Sequence, residues 1–317
     1  MRTRHSNPSG PGIQRVLDGE LRYVDATGRP LTDPTELERI RLLAIPPAWL
    51  DVWISPWPNG HIQAVGTDAA GRRQYLYHEE WRRKRDAAKF DRMLDLARAL
   101  PGARRAVTRD LRIEGLTRDR ALAAAFRMVD RAALRIGGER YLRSYGSRGL
   151  TTLLVRNVAL DGDVIGLRFP AKSGQGWDSS FRDSELAGYL ALLTEGRRAS
   201  ARLLAWRDRR WHPLHAPDVN DDIRARTGVE ASAKDFRTLR GTIVAADALA
   251  RAGLATTARA RSAAERVAVQ AAATALGNTP AVARASYIDP RVFDRYRSGE
   301  LIERRRSPEA ALVALLS

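Results

Sequence analysis

The chain has 317 residues, of which 44% are hydrophobic and 29% are charged, a composition typical of soluble globular proteins long enough to form two domains. Its 54 basic and 37 acidic residues give a net charge of +17, which favours a polyanionic partner, with DNA or RNA ahead of an anionic membrane. The lack of cysteine excludes disulfide scaffolds, zinc–thiolate sites and thiol nucleophiles, and it is compatible with the cytoplasm. We expect neither a signal peptide nor a membrane span, because residues 1–12 are polar and no run of about 18 apolar residues occurs.

The first part of the chain predicts a small domain of strands with one helix. Asp33, Pro34 and Glu36 form a helix start, with Asp as the cap, Pro at the first helical position and Glu three residues after the cap. Segments rich in β-forming residues predict strands at 21–24, 52–54, 61–65 and 74–77, with turns at 59–60 and 68–71. The sequence therefore predicts a small mixed β-sheet domain at the N-terminus.

The second part of the chain is predicted to be mainly helical. A basic run at 81–85 precedes helical periodicity, which predicts an N-terminal domain over 1–85 and a larger domain over 86–317. Within the larger domain we predict a helix at 117–134, strands at 150–181 with turns at 161–162 and 171–175, and helices in the remainder apart from a polar stretch at 211–222. The fold class is α+β, with a short antiparallel β-hairpin sheet in the larger, mainly α-helical domain.

Two basic side chains lie next to predicted element ends. Arg135 closes the predicted helix at 117–134, and Lys172 lies in the turn at 171–175, at the tip between two strands. An arginine at a helix end usually complements the helix dipole, and a turn lysine is usually solvated. Only four of the 54 basic residues are lysine, however, and lysine can give up a proton as a general acid whereas arginine cannot.

Arg237 and Tyr287 each follow a helix-capping pattern. Ser232 with Asp235 resembles a capping box, which predicts Arg237 in the first turns of a helix, where its guanidinium could bind phosphate. Gly, Asn, Thr and Pro at 277–280 predict the end of one helix and the start of a short one that closes at Tyr287, just before an Asp-Pro pair. Taken alone, a surface arginine and a structural tyrosine remain the simpler interpretations.

In this order, these residues resemble the type IB DNA topoisomerases, above all the small poxvirus-like form of viruses and bacteria. The supporting segments are Arg135-Ile136-Gly137, Gly149-Leu150-Thr151-Thr152-Leu153, Lys172 in its turn, Lys234-Asp235-Phe236-Arg237-Thr238, and Asn278-Thr279-Pro280 with Tyr287. The resemblance extends from about residue 20 to about residue 290. The viral enzymes have His where this chain has Asn278, and both side chains can donate to a phosphate oxygen.

The resemblance implies an enzyme that relaxes supercoiled duplex DNA by cutting and resealing one strand. Tyr287 would form a 3′-phosphotyrosyl bond, and Arg135, Arg237 and Asn278 would stabilise the charge of the transition state. Lys172 would protonate the leaving 5′-oxygen. The ester conserves the bond energy, so no ATP, metal or other cofactor is expected, and the sequence has no Walker-type loop. We further expect a monomer that clamps DNA, located in the bacterial cytoplasm with the nucleoid.

The predicted strand at 74–77 is similar to the strand with which this family contacts DNA. The residues expected to bind DNA are Arg72, Arg73, Gln74, Tyr75 and Tyr77, together with Tyr141, which matches a viral tyrosine. Tyr75 and Tyr77 share one face of the strand because side chains alternate with a period of two. The alternative is that this face packs on a β-sheet core.

Three other interpretations stay open. The densest set of potential metal ligands is His212, His215, Asp218, Asp221 and Asp222. This set lacks a recognised helical zinc pattern, so we interpret it as a polar surface loop without metal. A site-specific tyrosine recombinase shares the Arg-Lys-Arg-Tyr chemistry, but it usually has His three residues before the second Arg, where this chain has Lys234. A non-catalytic DNA-binding protein would explain the charge alone.

Overall fold

The computed structural model describes residues 2–317, except for the side chain of Ser173, and the chain divides into two compact units, Met1–Ala88 and Lys89–Ser317. The elements of the first unit are β1 (Ile13–Asp18), β2 (Glu20–Val24), α1 (Pro34–Leu42), β3 (Leu50–Ile54), β4 (Ile62–Thr67) and β5 (Arg73–Tyr77). The strands form one sheet in the order β2-β1-β3-β4-β5, in which every neighbouring pair is antiparallel.

Local sequence signals account for most of this unit. The four predicted strands and the predicted helix are present, and the Asp33 carboxylate caps α1 by accepting a hydrogen bond from Thr35 N at 2.9 Å. Strand β1 is the element that the sequence does not predict, because its polar and apolar residues do not alternate cleanly. The small core of this unit consists of Ile13, Ile40, Val52, Ile54 and Ala64. It is built between α1 and the sheet.

The second unit is mainly helical. Its first helix, α2 (Glu79–Leu111), begins within the first unit and is followed by α3 (Arg118–Ala132), α4 (Glu139–Tyr145), β6 (Val158–Asp161), β7 (Val164–Pro170), β8 (Gly176–Arg182), α5 (Ser184–Thr194), β9 (Ala205–Arg207), β10 (Trp211–Pro213), α6 (Ala216–Thr227), α7 (Ala233–Ala252), α8 (Ala258–Leu276), α9 (Pro280–Tyr287), α10 (Arg291–Arg297) and α11 (Pro308–Leu316). Strands β6, β7 and β8 form the predicted antiparallel sheet. The predicted α+β class is therefore confirmed. Among the described residues, no helix is long and apolar enough to cross a membrane.

The structure differs from the sequence prediction at three places in this unit. The start of the predicted strand region consists of the 3₁₀ turns Leu150–Thr152 and Val155–Asn157, and the first strand begins at Val158. The polar stretch at 211–222 is largely ordered, since β10 is followed directly by α6, whose start is capped by Asp218 accepting from His215 N at 2.9 Å. The third difference concerns Arg135, which lies beyond the helix that it was predicted to close.

Candidate active site

Tyr287 is the last residue of α9, as the capping pattern predicts. Thr279 caps the start of this helix with its hydroxyl. On the other side, the fully buried Asp289 donates its N–H to the Thr242 hydroxyl at 3.1 Å and pairs with Arg291 at 2.8 Å. The backbone is thus fixed before and after Tyr287, while the tyrosine ring itself is half-buried.

The backbone of Tyr287 lies directly against α7 at Gly241. A Cβ atom on Gly241 would be 2.5 Å from the Tyr287 carbonyl oxygen and 3.2 Å from Tyr287 Cβ. The φ angle of Gly241 is not positive, so the glycine is needed for close approach and not for an unusual backbone conformation. Only glycine, which has no Cβ atom, allows the backbone of Tyr287 to lie this close to α7.

Arg237, in the second turn of α7, is 1% exposed. It donates hydrogen bonds to the carbonyl oxygens of Ala133 at 2.7 Å and Leu276 at 2.8 Å, where α3 and α8 end. Such terminal carbonyls carry partial negative charge, which stabilises a buried cation. The guanidinium carbon lies 5.0 Å from the centre of the Tyr287 ring, and Nε has no hydrogen-bond partner among the described residues.

The capping pattern that predicts the location of Arg237 is confirmed. The Asp235 carboxylate accepts hydrogen bonds from both the N–H and the hydroxyl of Ser232, at 2.9 Å and 2.8 Å. Asp235 also accepts from Arg92 on α2 at 2.9 Å. The start of α7 is therefore fixed to α2, and this holds Arg237 in place.

The pKa values of Arg237 and Tyr287 are shifted by their surroundings. Burial, followed by the nearby charge of Arg135, lowers the pKa of Arg237 to about 10, so its guanidinium stays charged near neutral pH. Burial alone would raise the pKa of Tyr287, but the charge of Arg237 and its interaction with the phenol oxygen, followed by the charges of Arg135 and Lys234, outweigh burial and lower this pKa below its ordinary value. The site therefore stabilises the phenolate, the nucleophilic form of tyrosine, more than water does.

Arg135 and Asn278 are joined by a hydrogen bond across the site. Arg135 Nη2 donates to Asn278 Oδ1 at 2.6 Å. Asn278 follows Gly277, whose left-handed φ of +55° ends α8. With its oxygen bound to Arg135, the amide keeps Nδ2 as a buried donor that has no partner among the described residues.

Arg135 lies in a loop, three residues beyond the end of α3, and not in the last helical turn as predicted. The helix ends at Ala132 because Ala133 adopts a left-handed φ of +48°. The loop is then held by the segment that starts at Gly149, since Leu150 N donates to the Arg135 carbonyl at 2.9 Å. A Cβ on Gly149 would be 2.5 Å from this same carbonyl oxygen, so the two segments approach closely only because residue 149 is glycine.

Lys172 lies at the tip between β7 and β8, as predicted. Its side chain is exposed and has no hydrogen bond or ion pair with the rest of the described chain. Trp177, on β8, stacks on Phe169 of β7 and contacts Gly277, where a Cβ would lie 3.3 Å from the indole ring. The strands that carry Lys172 therefore pack against the turn that carries Asn278.

The predicted DNA-binding residues of β5 divide into two groups. Arg73, Tyr75 and Tyr77 are exposed on one face of the strand, and the two tyrosine rings stack with 6.1 Å between their centres. This face is thus not packed on a core. Arg72 and Gln74 instead contact the carboxylate of Asp68 at 2.8 Å each.

Tyr141 is exposed on α4, and it has an exposed neighbour that the sequence analysis missed. The ring of Tyr145 lies 6.2 Å from that of Tyr141, and both side chains are more than half exposed. Their spacing of one helical turn is the signal that would have found the pair. Lys234, which the sequence analysis does not predict as a site residue, is exposed at the start of α7 and is one of the charges that act on Tyr287.

Four of the five residues considered as metal ligands have side chains engaged in other contacts. Asp218, Asp221 and Asp222 form ion pairs with Arg118, Arg224 and Arg226, respectively. His212 contacts Asp208 at 3.0 Å and stacks on Trp206. Within residues 2–317, no three His, Asp or Glu side chains are grouped in a way that could hold a metal ion.

Comparison with known proteins agrees with the resemblance seen in the sequence. The family described as bacterial DNA topoisomerase IB, N-terminal domain, matches residues 20–68, and the family described as eukaryotic DNA topoisomerase I, catalytic core, matches residues 78–303. The chain therefore belongs to the type IB DNA topoisomerase family. It is 34% identical over 207 residues to DNA topoisomerase 1B of Acanthamoeba polyphaga mimivirus, and the match spans 64% of this chain and 62% of the viral protein.

Proposed function

We propose that the protein relaxes supercoiled duplex DNA by cutting and resealing one strand through a covalent bond to Tyr287. The observation that carries this proposal is the pair of unused donors in the cluster around Tyr287. Arg237 Nε and Asn278 Nδ2 are two of only four buried side-chain polar atoms in residues 2–317 without a hydrogen-bond partner. A buried unpaired donor costs roughly 1–3 kcal/mol, so two in one cluster indicate that the site is built for an acceptor from outside the chain. The non-bridging oxygens of a phosphodiester supply such acceptors.

The chemistry that we propose is a transesterification at phosphorus. The Tyr287 hydroxyl loses its proton to water, its oxygen forms a bond to the phosphorus, and the bond from phosphorus to the 5′-oxygen breaks, leaving a 3′-phosphotyrosyl ester and a 5′-hydroxyl. Arg135, Arg237 and Asn278 bind the phosphate oxygens, where negative charge accumulates in the transition state. Because the ester conserves the energy of the broken bond, attack by the 5′-hydroxyl reverses the reaction without ATP or a metal.

Lys172 is proposed as the general acid. The 5′-oxygen leaves as a poor, strongly basic alkoxide unless it receives a proton as the bond breaks. Lys172 can supply this proton because it is not bound to any carboxylate in the described chain and lies at the exposed tip between β7 and β8. Packing of Trp177 on Gly277 supports a location of this tip near the other proposed catalytic residues.

DNA binding is proposed for both units of the chain. In the first unit, the exposed Arg73 offers charge to the phosphates, and the stacked Tyr75 and Tyr77 offer a flat surface to a DNA groove. In the second unit, Tyr141 lies on the exposed surface of α4. We propose that a single chain clamps the duplex through these surfaces, with Met1–Ala88 acting as the clamp and Lys89–Ser317 as the catalytic unit, in the compartment that holds the nucleoid.

The two alternative functions differ from this one in their DNA requirements. A tyrosine recombinase needs its own recognition site, whereas a topoisomerase acts on any supercoiled plasmid that it binds. Lys234 lies three residues before Arg237, where a recombinase usually has His, and this weighs against the recombinase. A non-catalytic DNA-binding protein has no use for the unpaired donors beside Tyr287, and this observation weighs against it.

Relaxation of a supercoiled plasmid with EDTA present and ATP absent tests the proposed function. We expect a ladder of topoisomers, which a recombinase or a binding protein does not produce on plasmid without a specific site. An unchanged plasmid, from protein shown to bind it, would overturn the proposal.

A further inference from the structure

A second cluster of arginines lines a cavity on another face of α7. The cavity has a volume of about 410 Å³ and is bounded by α2, α3, α7 and the start of α11. Its charged lining consists of Arg104, Arg127, Asp130, Arg131, Arg240 and Glu309. Arg240 points into this cavity, whereas Arg237 and Gly241 of the same helix contact Tyr287. The cavity is thus separate from the candidate active site.

One of these arginines, Arg104, is paired with two carboxylates of the protein. Arg104 donates to Asp130 at 2.8 Å and to Glu309 at 2.6 Å, and these two carboxylates raise its pKa against the opposing effect of burial. It fixes the start of α11 to α2 and α3. Arg104 therefore has a structural role, and only the other three arginines of the cavity are candidates for binding a ligand.

The other three arginines have donors to spare. Arg240 has no hydrogen bond or ion pair with the described part of the chain, and Arg127 Nε is buried without a partner although Asp183 accepts from its Nη1 at 2.8 Å. Arg131 donates to the carbonyl of Arg182 and lies 3.8 Å from Asp183. The four arginines of the lining, set against Asp130, Glu309 and the adjacent Asp183, leave a net charge of +1. The cavity therefore has both the charge and the free donors to bind an anion.

We propose that this cavity binds a small phosphate monoester through Arg127, Arg131 and Arg240. Guanidinium groups match phosphate geometry, and the about −1.5 to −2 charges of a phosphate monoester at neutral pH are attracted to the net positive charge of the cavity. The volume lies within the range of roughly 300–1,000 Å³ that is typical of small-molecule sites, so more than a bare ion fits. The apolar part of the wall, formed by Phe236, Leu239 and Ile243, would contact the organic group of the ligand.

Calorimetric titration of the full chain, without DNA, tests this site. The probes are AMP, ribose 5-phosphate and adenosine. We expect the two phosphates to bind with one site per chain and adenosine not to bind. Arg240→Gln should weaken both phosphates at least about tenfold, which is the effect of losing one charge-assisted hydrogen bond.

Arg259→Gln is the matched control, because Arg259 is an exposed arginine of α8 outside the cavity and the charge change is the same. Unchanged binding by Arg259→Gln together with weakened binding by Arg240→Gln supports the proposal. Equal losses in both variants would show only a general effect of net charge and would overturn it. Binding that Arg240→Gln does not affect would assign the phosphate to another site, such as the one around Tyr287, and absence of binding at millimolar concentrations would also overturn the proposal.

Discussion

The guanidinium carbon of Arg237 lies 5.0 Å from the centre of the Tyr287 ring, and no carboxylate of the described chain forms an ion pair with this arginine. Two backbone carbonyls, of Ala133 and Leu276, hold it instead. Its positive charge is therefore not cancelled by a neighbouring side chain. It remains available to the phenolate of Tyr287 and to a bound phosphate.

Arg237→Lys should therefore be a damaging change, although it preserves the charge. An ammonium group cannot reach two carbonyls and still present a planar donor beside Tyr287, since it lacks the guanidinium fork. We expect the rate of single-turnover DNA cleavage to fall about 10²–10³-fold, the typical cost of one lost transition-state donor. Measuring both the cleavage rate and the DNA affinity separates a loss of transition-state stabilisation from a loss of DNA binding. A lysine variant that cleaves at the normal rate would contradict the proposed role of Arg237 in stabilising the transition state.

The contact between Gly241 and Tyr287 predicts a second defect. In Gly241→Ala, the new Cβ would clash with the Tyr287 carbonyl and push α9 away from α7. We expect slower cleavage, with DNA affinity nearly unchanged because the surfaces proposed to bind DNA are not altered. The matched control is Gly188→Ala on α5, where a Cβ meets nothing within 4 Å and should stabilise the helix by roughly 0.5–1 kcal/mol. Equal cleavage rates in the two variants would show that the close approach does not matter.

Local patterns account for much of the fold. Capping signals depend on neighbouring residues only, and those at Asp33, Ser232 and Thr279 each predict a helix start that the structure contains. The sequence predicts the end of α3 two residues too late, because Ala133 adopts the left-handed conformation that a glycine usually signals at a helix end. Strand β1 was missed because it is defined by its pairing with β2 and β3 and not by its own pattern.

The proposed active site is less predictable from the sequence alone. Its members were identified by their order along the chain, which resembles a known family, and no local rule brings them together. The bond from Arg135 to Asn278 and the contact of Trp177 with Gly277 join segments that are far apart in sequence. Such contacts depend on how α3, α7 and α8 pack, so the unpaired donors of the site become visible only in the structure.

The proposed role of Lys172 as general acid predicts how the cleavage rate depends on the leaving group. Lys172→Gln should slow the cleavage of ordinary DNA about 10²–10⁴-fold, the typical contribution of a general acid. In a substrate with sulfur in place of the bridging 5′-oxygen, the leaving thiolate has a conjugate-acid pKa of about 8.5 and needs no proton. We expect the variant to cleave this substrate almost as fast as the unaltered protein. Equal losses on both substrates would assign Lys172 to binding instead of proton transfer.

The first unit should lose stability in mild acid because of His61. This ring is buried, its Nδ1 accepts a hydrogen bond from Ser6 N at 2.8 Å, and it stacks on His5. Burial, followed by the charge of His5, lowers the pKa of His61 below its ordinary value, so the folded chain binds the proton less tightly than the unfolded chain does. The resulting stability is fully present above a pH of about 6.5 and is lost as the pH falls through the lowered pKa.

Thermal denaturation between pH 7.5 and about 5.5 measures this effect while most carboxylates stay ionised. We expect the midpoint to fall less steeply with acid in His61→Gln than in the unaltered protein. His215→Gln, at an exposed histidine, should retain the full pH dependence. If His61→Gln and His215→Gln respond identically, the buried ring does not control acid stability.

The most direct test of the central claim is to trap the covalent intermediate and identify the residue that carries it. Protein and duplex DNA are mixed, denatured rapidly and digested, and the peptides are analysed by mass spectrometry. We expect a 3′-phosphoryl nucleotide attached to Tyr287 and no adduct in Tyr287→Phe despite normal DNA binding. The control is Tyr296→Phe, at a buried tyrosine of α10 whose hydroxyl donates to the Gly253 carbonyl at 3.0 Å, and it should retain adduct formation. Adduct formation by Tyr287→Phe, or attachment to any other residue, would contradict the proposed mechanism.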